Sequence, residues 1–215
     1  PSDLTRAIFQ NFINDGGNFI KTKIKRLEMK DAPVLIAEEQ ARTVKKVVVS
    51  CGYLSAALLE PLGVKVPLVA ERGYHIEMEH EKISFDMPIG SYERGCYLTP
   101  MKLGLRVAGT SEIVPVKNEP GPKWLRAEIL SKHAKELLPG VVLNEKSRWM
   151  GRRPTLPDFL PMLGPVPGLP AIFAACGHHH LGLTLSAITA SSVSGSLLRG
   201  CSAAIPVELS PGRFT

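Results

Sequence analysis

The sequence predicts an α/β domain interrupted by an inserted antiparallel sheet, and three observations carry that prediction. "KKVVVSCG" near the start and "AIFAACG" near the end are short apolar runs closed by glycine, the pattern of strands covered on both faces in an α/β sheet. Between them, from about Leu62 to Leu143, the texture changes to short alternating stretches broken by Gly and Pro, which predicts antiparallel strands. Helical periodicity then returns beside the last apolar run. The expected division is residues 1–61 with 144–215 as one discontinuous domain and residues 62–143 as the insertion.

In chain order, the apolar positions Leu4, Ala7, Ile8, Phe9, Phe12 and Ile13 fall on one helical face over Asp3 to Asn14, and "DGG" ends that helix. "NFIKTKIKRLE" follows as a strand in which Lys21, Lys23 and Lys25 alternate with Thr22 and Ile24. With no aromatic residues interleaved, this predicts a solvated charged edge rather than a phosphate-binding stripe. "APVLIAEE" and "KKVVVSCG" continue as strands. "YHIEMEH", "KISFDMP", "CYLTPMK" and "LGLRVAGTSEIVPV" supply the antiparallel sheet, and a helix follows at about Lys123 to Leu138 with Trp124, Leu125, Ile129, Leu130 and Leu137 facing inward. "SRWMGRRPTLPDFLPMLGPVPGLP" is so rich in proline that it predicts a rigid packed loop. The strand "AIFAACG" and a small-residue helix from about Leu183 to Leu198 complete the chain before its tail.

Composition bounds the function. The 215 residues are 44% hydrophobic, enough for a substantial core, and no apolar run of about 18 residues or export signal occurs. The net charge of +6 comes from 26 basic and 20 acidic residues interspersed throughout, which predicts a solvated surface and no dedicated nucleic-acid arm. Cys51, Cys96, Cys176 and Cys201 form no CxxC pair, so reduced buried thiols of a cytoplasmic protein are expected.

Three stretches hold candidate chemistry, one of them with two readings. His178, His179 and His180 are consecutive and point in different directions, so they do not suit one tetrahedral ion, and no metal site is predicted. "HIEMEH" places His75, Glu77 and Glu79 on one strand face, which a partly exposed edge explains equally well. The order strand, "CGHHHLG", small-residue helix predicts backbone N–H groups offered to a polar or anionic cofactor edge, beside the alternative of a tight packing turn. Arg152 and Arg153 in the proline-braced stretch predict a guanidinium able to clamp a carboxylate, with a surface arginine as the bland alternative.

Taken together, "VVVSCGYLS", "VPLVAERGYHIEM", Cys96 to Glu112, Trp149 to Pro165 and the turn Gly177 to Ser186 resemble the D-amino-acid oxidase family of FAD-dependent oxidoreductases, which includes glycine and sarcosine oxidases and D-amino-acid dehydrogenases. The resemblance covers nearly the whole chain. It implies part of a FAD/NAD(P)-binding domain of the glutathione-reductase-like kind, with an inserted antiparallel substrate domain. It also implies oxidation of a small amino acid or secondary amino acid to the imine and then the keto acid, by hydride transfer to FAD. Arg153 would pair with the substrate carboxylate, Tyr97 would line the pocket, and His180 falls where some relatives carry a second carboxylate contact. Gly177, His178, Leu181, Gly182, Leu183 and Thr184 would present the turn's backbone to the flavin. Ile24 would lie beside the adenine, and Cys51 and Gly52 near the dinucleotide.

The implied partners are an amino-acid substrate and an acceptor, oxygen or a quinone, for a cytoplasmic enzyme or one held peripherally on the inner face of the membrane; no nucleic acid is implied. Two departures stand out. His179 occupies a position where many relatives have Gly, and no GxGxxG occurs in the chain. Relative to the family pattern, roughly the first two-fifths is expected to be missing, in keeping with a start at Pro1 in mid-domain. Two alternatives accompany the family reading: a catalytically silent fragment that does not hold FAD and, ranked below it on the basic charge alone, a module that binds nucleic acid or another anion.

Overall fold

The structure, a computed structural model, describes residues 2–38, 40–80, 83–102, 104–199 and 205–214. It separates into two compact units, Pro1–Pro67 with Leu156–Thr215, and Leu68–Thr155.

The discontinuous unit contains two three-stranded sheets. In one, β1 (Arg26–Met29) and β3 (Ala41–Thr43) flank β2 (Pro33–Ile36), all antiparallel. The other pairs β10 (Met162–Val166) antiparallel to β11 (Leu169–Cys176), and β11 parallel to β4 (Val47–Val49). A short helix, α2 (Ser55–Leu59), follows β4, giving the expected α/β character. Leu163, Phe173 and Val193 form a core beneath α4 (Ser186–Arg199).

Three local expectations are corrected here. The lysine-rich stretch 18–25 is not a strand: pairing begins at Arg26, where β2 offers a partner, and the last bond is Lys25 N–H to the Ile36 carbonyl at 2.8 Å. The Val47–Val49 run is not covered on both faces. β4 is the last strand of its sheet, and Val48 is 40% exposed. α1 (Ser2–Asn14) forms where its periodicity places it, yet Leu4, Ile8, Phe9 and Phe12 are all exposed. Among the cysteines, Cys96 and Cys176 are buried free thiols, whereas Cys51 is exposed just beyond the edge strand; Cys201 lies outside the described residues.

The second unit is a five-stranded antiparallel sheet ordered β6 (Ile89–Ser91), β7 (Cys96–Met101), β8 (Gly104–Pro115), β5 (Val69–His80), β9 (Leu143–Thr155). β5 alternates by burial: Ala70, Arg72, Tyr74, Ile76 and Met78 are buried, while Glu71, His75 and Glu77 are half-buried. One face packs against α3 (Leu125–Leu137) through Ile76, Met78, Leu98, Leu105 and Val107. The helix meets this core with Ala127, Leu130 and Ala134, spaced 3 and 4 residues apart. Leu125, expected inward, is 65% exposed, because small alanines on the neighbouring stripe let the helix sit closer to the sheet.

The units divide at Pro67/Leu68 and Thr155/Leu156 rather than at 61/62 and 143/144. The reason is β9, which pairs with β5 from Leu143 to Thr155 and so belongs wholly to the sheet. The proline-rich stretch is thus mostly strand, interrupted by a loop at residues 156–161 and a two-residue turn at 167–168. Pro154 is tolerated within β9 because β9 is an edge strand, where a missing N–H removes no ladder bond on the open side.

Candidate functional site

The face of the five-stranded sheet turned away from α3 carries the polar candidates. Register aligns Tyr97, Ala108, His75 and Trp149 in one row across β7, β8, β5 and β9. Two residues along, Gly73 opposes Gly151, and two further on Glu71 opposes Arg153. Side chains at directly opposed positions share a face, so Arg153 and Tyr97 lie on the same one.

Glycines let the large side chains of this face lie down on the sheet. A Cβ at Gly73 would fall 2.4 Å from Arg153 Nη2, one at Gly151 would fall 1.9 Å from Trp149 Cη2, and one at Gly90 would fall 2.9 Å from Tyr97 Cε1. Arg153 therefore leans over Gly73 from one side and Trp149 over Gly151 from the other. Together with His75 and Ala108 they line a hollow of about 140 Å³. The Tyr97 ring lies instead over Gly90 on β6, 62% exposed, beside this hollow and not in its wall.

Electrostatics sharpen the picture. Arg153 Nη1 donates to Glu71 Oε1 at 3.0 Å, and the Thr155 hydroxyl donates to Glu71 Oε2 at 3.4 Å. Arg106, on the same face, is paired with Glu77 at 2.6 Å. His75 stacks on Trp149 with ring centroids 4.9 Å apart; burial and then the nearby Arg106 charge hold its imidazole below the usual histidine range, hence neutral near pH 7. Arg152 points the other way, and its Nε donates to Glu119 at 2.7 Å. A larger, more open depression of about 480 Å³ along α3 is lined by Glu128, Lys132, Lys135, Glu136 and other polar residues, and contains none of the predicted site residues.

In the discontinuous unit, β4 and β11 run parallel with Val49 opposite Ala174, so their carboxyl ends lie side by side. That brings Cys51 and Gly52, which follow β4, to the same edge as the turn after Cys176. Carboxyl ends of parallel strands are where open α/β sheets receive ligands. The turn is built by Gly177, whose φ of 79° and missing Cβ let the chain pass Leu156; a Cβ there would fall 2.3 Å from Leu156 Cδ1. His179 takes a φ of 53°, the left-handed conformation that suits the glycine of the family pattern and costs a non-glycine residue about 1 kcal/mol. Its ring meets Phe159 edge-on at 5.5 Å. The loop beneath is clamped by Arg213, whose Nε donates to Asp158 at 2.7 Å and whose Nη2 donates to the Leu160 carbonyl at 2.8 Å.

Two expectations about this turn change. The helix begins at Ser186, not Leu183, so the Leu181 to Thr184 amides belong to a turn ahead of it. Within that turn the Leu181 N–H is already bonded to the His178 carbonyl at 2.9 Å, which takes it from the set of donors facing outward. His178 has a structural role: its Nε2 lies 2.9 Å from Thr189 Oγ1 and ties the turn to α4. His179 Nδ1 and His180 Nδ1 face each other, and His180 is exposed. Ile24 precedes β1 and lies by the other three-stranded sheet, half-buried. Among the described residues no cluster of His, Cys, Asp or Glu is arranged to hold a metal, and no helix is long and apolar enough to cross a membrane.

Burial holds the His178 imidazole below its usual pKa. The folded chain then binds fewer protons than the unfolded chain between the two values, so this stabilisation is complete above about pH 6.5 and declines as pH falls. His178→Asn is expected to flatten the stability profile below pH 6.5, measured by urea unfolding at several pH values. An unaltered profile contradicts the assignment.

Sequence reasoning missed Glu71, Gly73, Trp149, Asp158 and Arg213. The first two were legible as alternate positions of β5 once β9 was known to be its partner; the Asp158–Arg213 clamp, 55 residues apart, carried no local signal.

Comparison with known proteins accords with this geometry. The family pattern of FAD dependent oxidoreductases (DAO) matches residues 1–194. A D-amino-acid oxidase of Bradyrhizobium diazoefficiens is 31% identical over 221 residues, covering 100% of this chain and 52% of that protein. A D-amino acid dehydrogenase of Rhizobium johnstonii is 31% identical over 192 residues, 83% of this chain and 43% of that protein. The crystal structure of glycine oxidase from Geobacillus kaustophilus superposes with a TM-score of 0.75 at 21% identity, over 91% of this chain and 53% of that one, and so shares the fold. The chain thus spans about half the length of the curated relatives it matches. With a match over nine-tenths of its residues, the chain belongs to the DAO family of FAD-dependent oxidoreductases.

Proposed function

We propose that this chain carries the substrate-binding face, and part of the FAD-binding surface, of an enzyme that oxidises a small amino acid or secondary amino acid. The observation that carries the reading is the placement of Arg153: a half-exposed guanidinium lying flat over Gly73 in the wall of a small hollow with an aromatic side. A guanidinium held in this way suits a carboxylate, which it meets through two parallel hydrogen bonds.

The residues at the carboxyl ends of β4 and β11 fit FAD. Gly52 takes positive φ with open space where a Cβ would stand, so a planar group has close access to the peptide edge there, while Gly177, packed on Leu156, turns the chain into the second loop at the same edge. In this reading Cys51, Gly52, Gly177, His178, Gly182, Leu183 and Thr184 would hold the cofactor, with Ile24 on its adenine side, and amides of the turn would stabilise negative charge on it. FAD, when bound, supplies the acceptor for a hydride from the substrate α-carbon. The chain's own work is positional: Arg153 fixes the carboxylate, Trp149 and His75 bound the side-chain space, and Tyr97, beside the hollow on β7, is assigned to its rim. His180 is assigned as a second carboxylate contact. Neutral His75 brings no charge to the hollow, and no strong base is required. The acceptor, oxygen or a quinone, and a cytoplasmic or peripheral membrane location belong to the same proposal.

Arg153→Ala is expected to raise KM for carboxylate substrates at least about tenfold in the active enzyme, with a smaller change in kcat. Steady-state kinetics with an amino acid and its amide separates this from general damage; unchanged kinetics refutes the assignment. A second reading, that the 215-residue chain by itself does not retain FAD, is favoured by the lack of a GxGxxG sequence. Flavin absorbance of the purified chain decides between the two.

A further inference from the structure

We propose that Glu71 makes Arg153 selective for zwitterions: the pair receives an α-amino acid through both its charges and disfavours the corresponding plain carboxylic acid. The inference rests on the assignment of Arg153 to the substrate carboxylate and adds to it a second, specificity-determining residue. Glu71 stands directly opposite Arg153 across β5 and β9, with Oε1 3.0 Å from Nη1, and its side chain is 17% exposed. The Thr155 hydroxyl, at 3.4 Å from the other oxygen, helps hold the carboxylate in place. Gly73 between them lets the guanidinium lie down against the strand, so the pair is a fixed feature of the sheet face and not two long side chains meeting in solvent.

The charge consequence is direct. A guanidinium has five N–H donors, so one contact to Glu71 leaves capacity for a ligand carboxylate. The positive charge that would attract that carboxylate is, however, already balanced by Glu71. A plain carboxylate gains hydrogen bonds but meets Glu71 as a like charge a few ångströms further on. An α-ammonium sits one carbon from its carboxylate and brings a cation within range of Glu71, which converts that repulsion to attraction. Two further charged pairs on this face, Arg106 with Glu77 at 2.6 Å and Lys146 with Glu79 at 2.9 Å, are each closed on themselves, and stacked His75 completes the wall without an obligatory charge. The site therefore matches a ligand of zero net charge with its two charges close together. That is the class of monoamino monocarboxylic acids, and it excludes dicarboxylates.

The test uses a matched pair of probes, phenylalanine in both enantiomers and 3-phenylpropionate, which differ only by the ammonium group. Binding is measured by isothermal titration calorimetry on the 215-residue chain near pH 7. Glu71→Gln is expected to tighten 3-phenylpropionate about fivefold and to weaken the better-bound phenylalanine enantiomer about fivefold, the partial exposure of Arg153 limiting both effects. Glu71→Asp, which keeps the charge, is expected to retain the wild-type preference. A residue that merely braces Arg153 would move both ligands in the same direction, so parallel shifts or no shifts overturn the proposal while leaving Arg153 in its role. If Arg153→Ala leaves both affinities unchanged, the assignment beneath it fails, and the absence of binding of all three probes to the wild-type chain overturns both.

Discussion

Arg72→Met is expected to destabilise the five-stranded unit by about 3–5 kcal/mol, the cost of stranding buried carboxylates without their partner. Arg72 is fully buried on the α3 side of β5. Its Nη1 lies 3.2 Å from Glu112 Oε1, its Nε donates to Glu119 Oε1 at 2.6 Å, and its remaining donors reach the Gly121 carbonyl at 3.0 Å and the Pro120 carbonyl. The Tyr74 hydroxyl donates to Glu112 at 2.6 Å and accepts from the Lys123 N–H at 3.0 Å, so one network ties the 119–123 segment to the sheet. Methionine fills the volume but satisfies neither carboxylate nor carbonyl. The triple variant Arg72→Met, Glu112→Gln, Glu119→Gln is expected to recover part of the loss, because the uncompensated charges go with it. Trp124, edge-on to Tyr74 at 6.1 Å, provides the fluorescence probe for urea unfolding. A loss below 1 kcal/mol would show that the network contributes little.

The same network fixes the acid limit of the unit. Burial alone would push the Glu112 carboxyl up, but hydrogen bonds from Tyr74, Lys123 and Arg72 outweigh it and hold its pKa at about 2. A carboxylate whose folded pKa is depressed contributes stability that is complete above its unfolded value near 4.5 and is lost as pH falls toward 2. Glu119 is shifted the same way: burial raises it, and Arg152 and Arg72 more than reverse that. Both contributions should shrink in Arg72→Met, visible as a shallower dependence of stability on pH in that window.

Gly177→Ala is expected to cost about 2–4 kcal/mol in the discontinuous unit, from two sources. The left-handed backbone at φ 79° penalises a side chain by about 1 kcal/mol, and the added Cβ, 2.3 Å from the fully buried Leu156 Cδ1, overpacks the site by about 1–3 kcal/mol. Leu156→Ala in the same chain removes the clash, so the double variant should lose less than the sum of the single losses. Thermal unfolding of the four chains closes the cycle. Strict additivity would mean that Gly177 and Leu156 do not meet. Because Gly177 opens the turn assigned to FAD, the single variant should also lower flavin retention in any form that binds it.

Much of this was legible in order along the chain. The β-branched run at Val47–Val49, the strand at Leu169–Cys176 and the alternation of β5 were read from periodicity, which is local, and the glycine at 177 announced a turn because only a few residue types tolerate that backbone. The proline-rich segment misled, since proline excludes a central strand but not an edge strand, and edge position is a property of the assembled sheet. The inward face of α3 was misjudged for a related reason: hydrophobicity favoured Leu125, while close approach to the sheet favoured Ala127 and Ala134.

What the sequence determined by itself, then, was the family, the kinds of element and the presence of Arg153 and the glycine-led turn, because those depend on residue type and short spacing. Only the tertiary structure decided that Arg153 faces Glu71 over Gly73, that Trp149 and His75 complete its hollow, and that Asp158 and Arg213 clamp the loop beneath the turn. Each of these joins residues on different strands or segments, 55 to 82 positions apart for the charged pairs, and strand register, which sets such meetings, is fixed by the packing of the whole sheet.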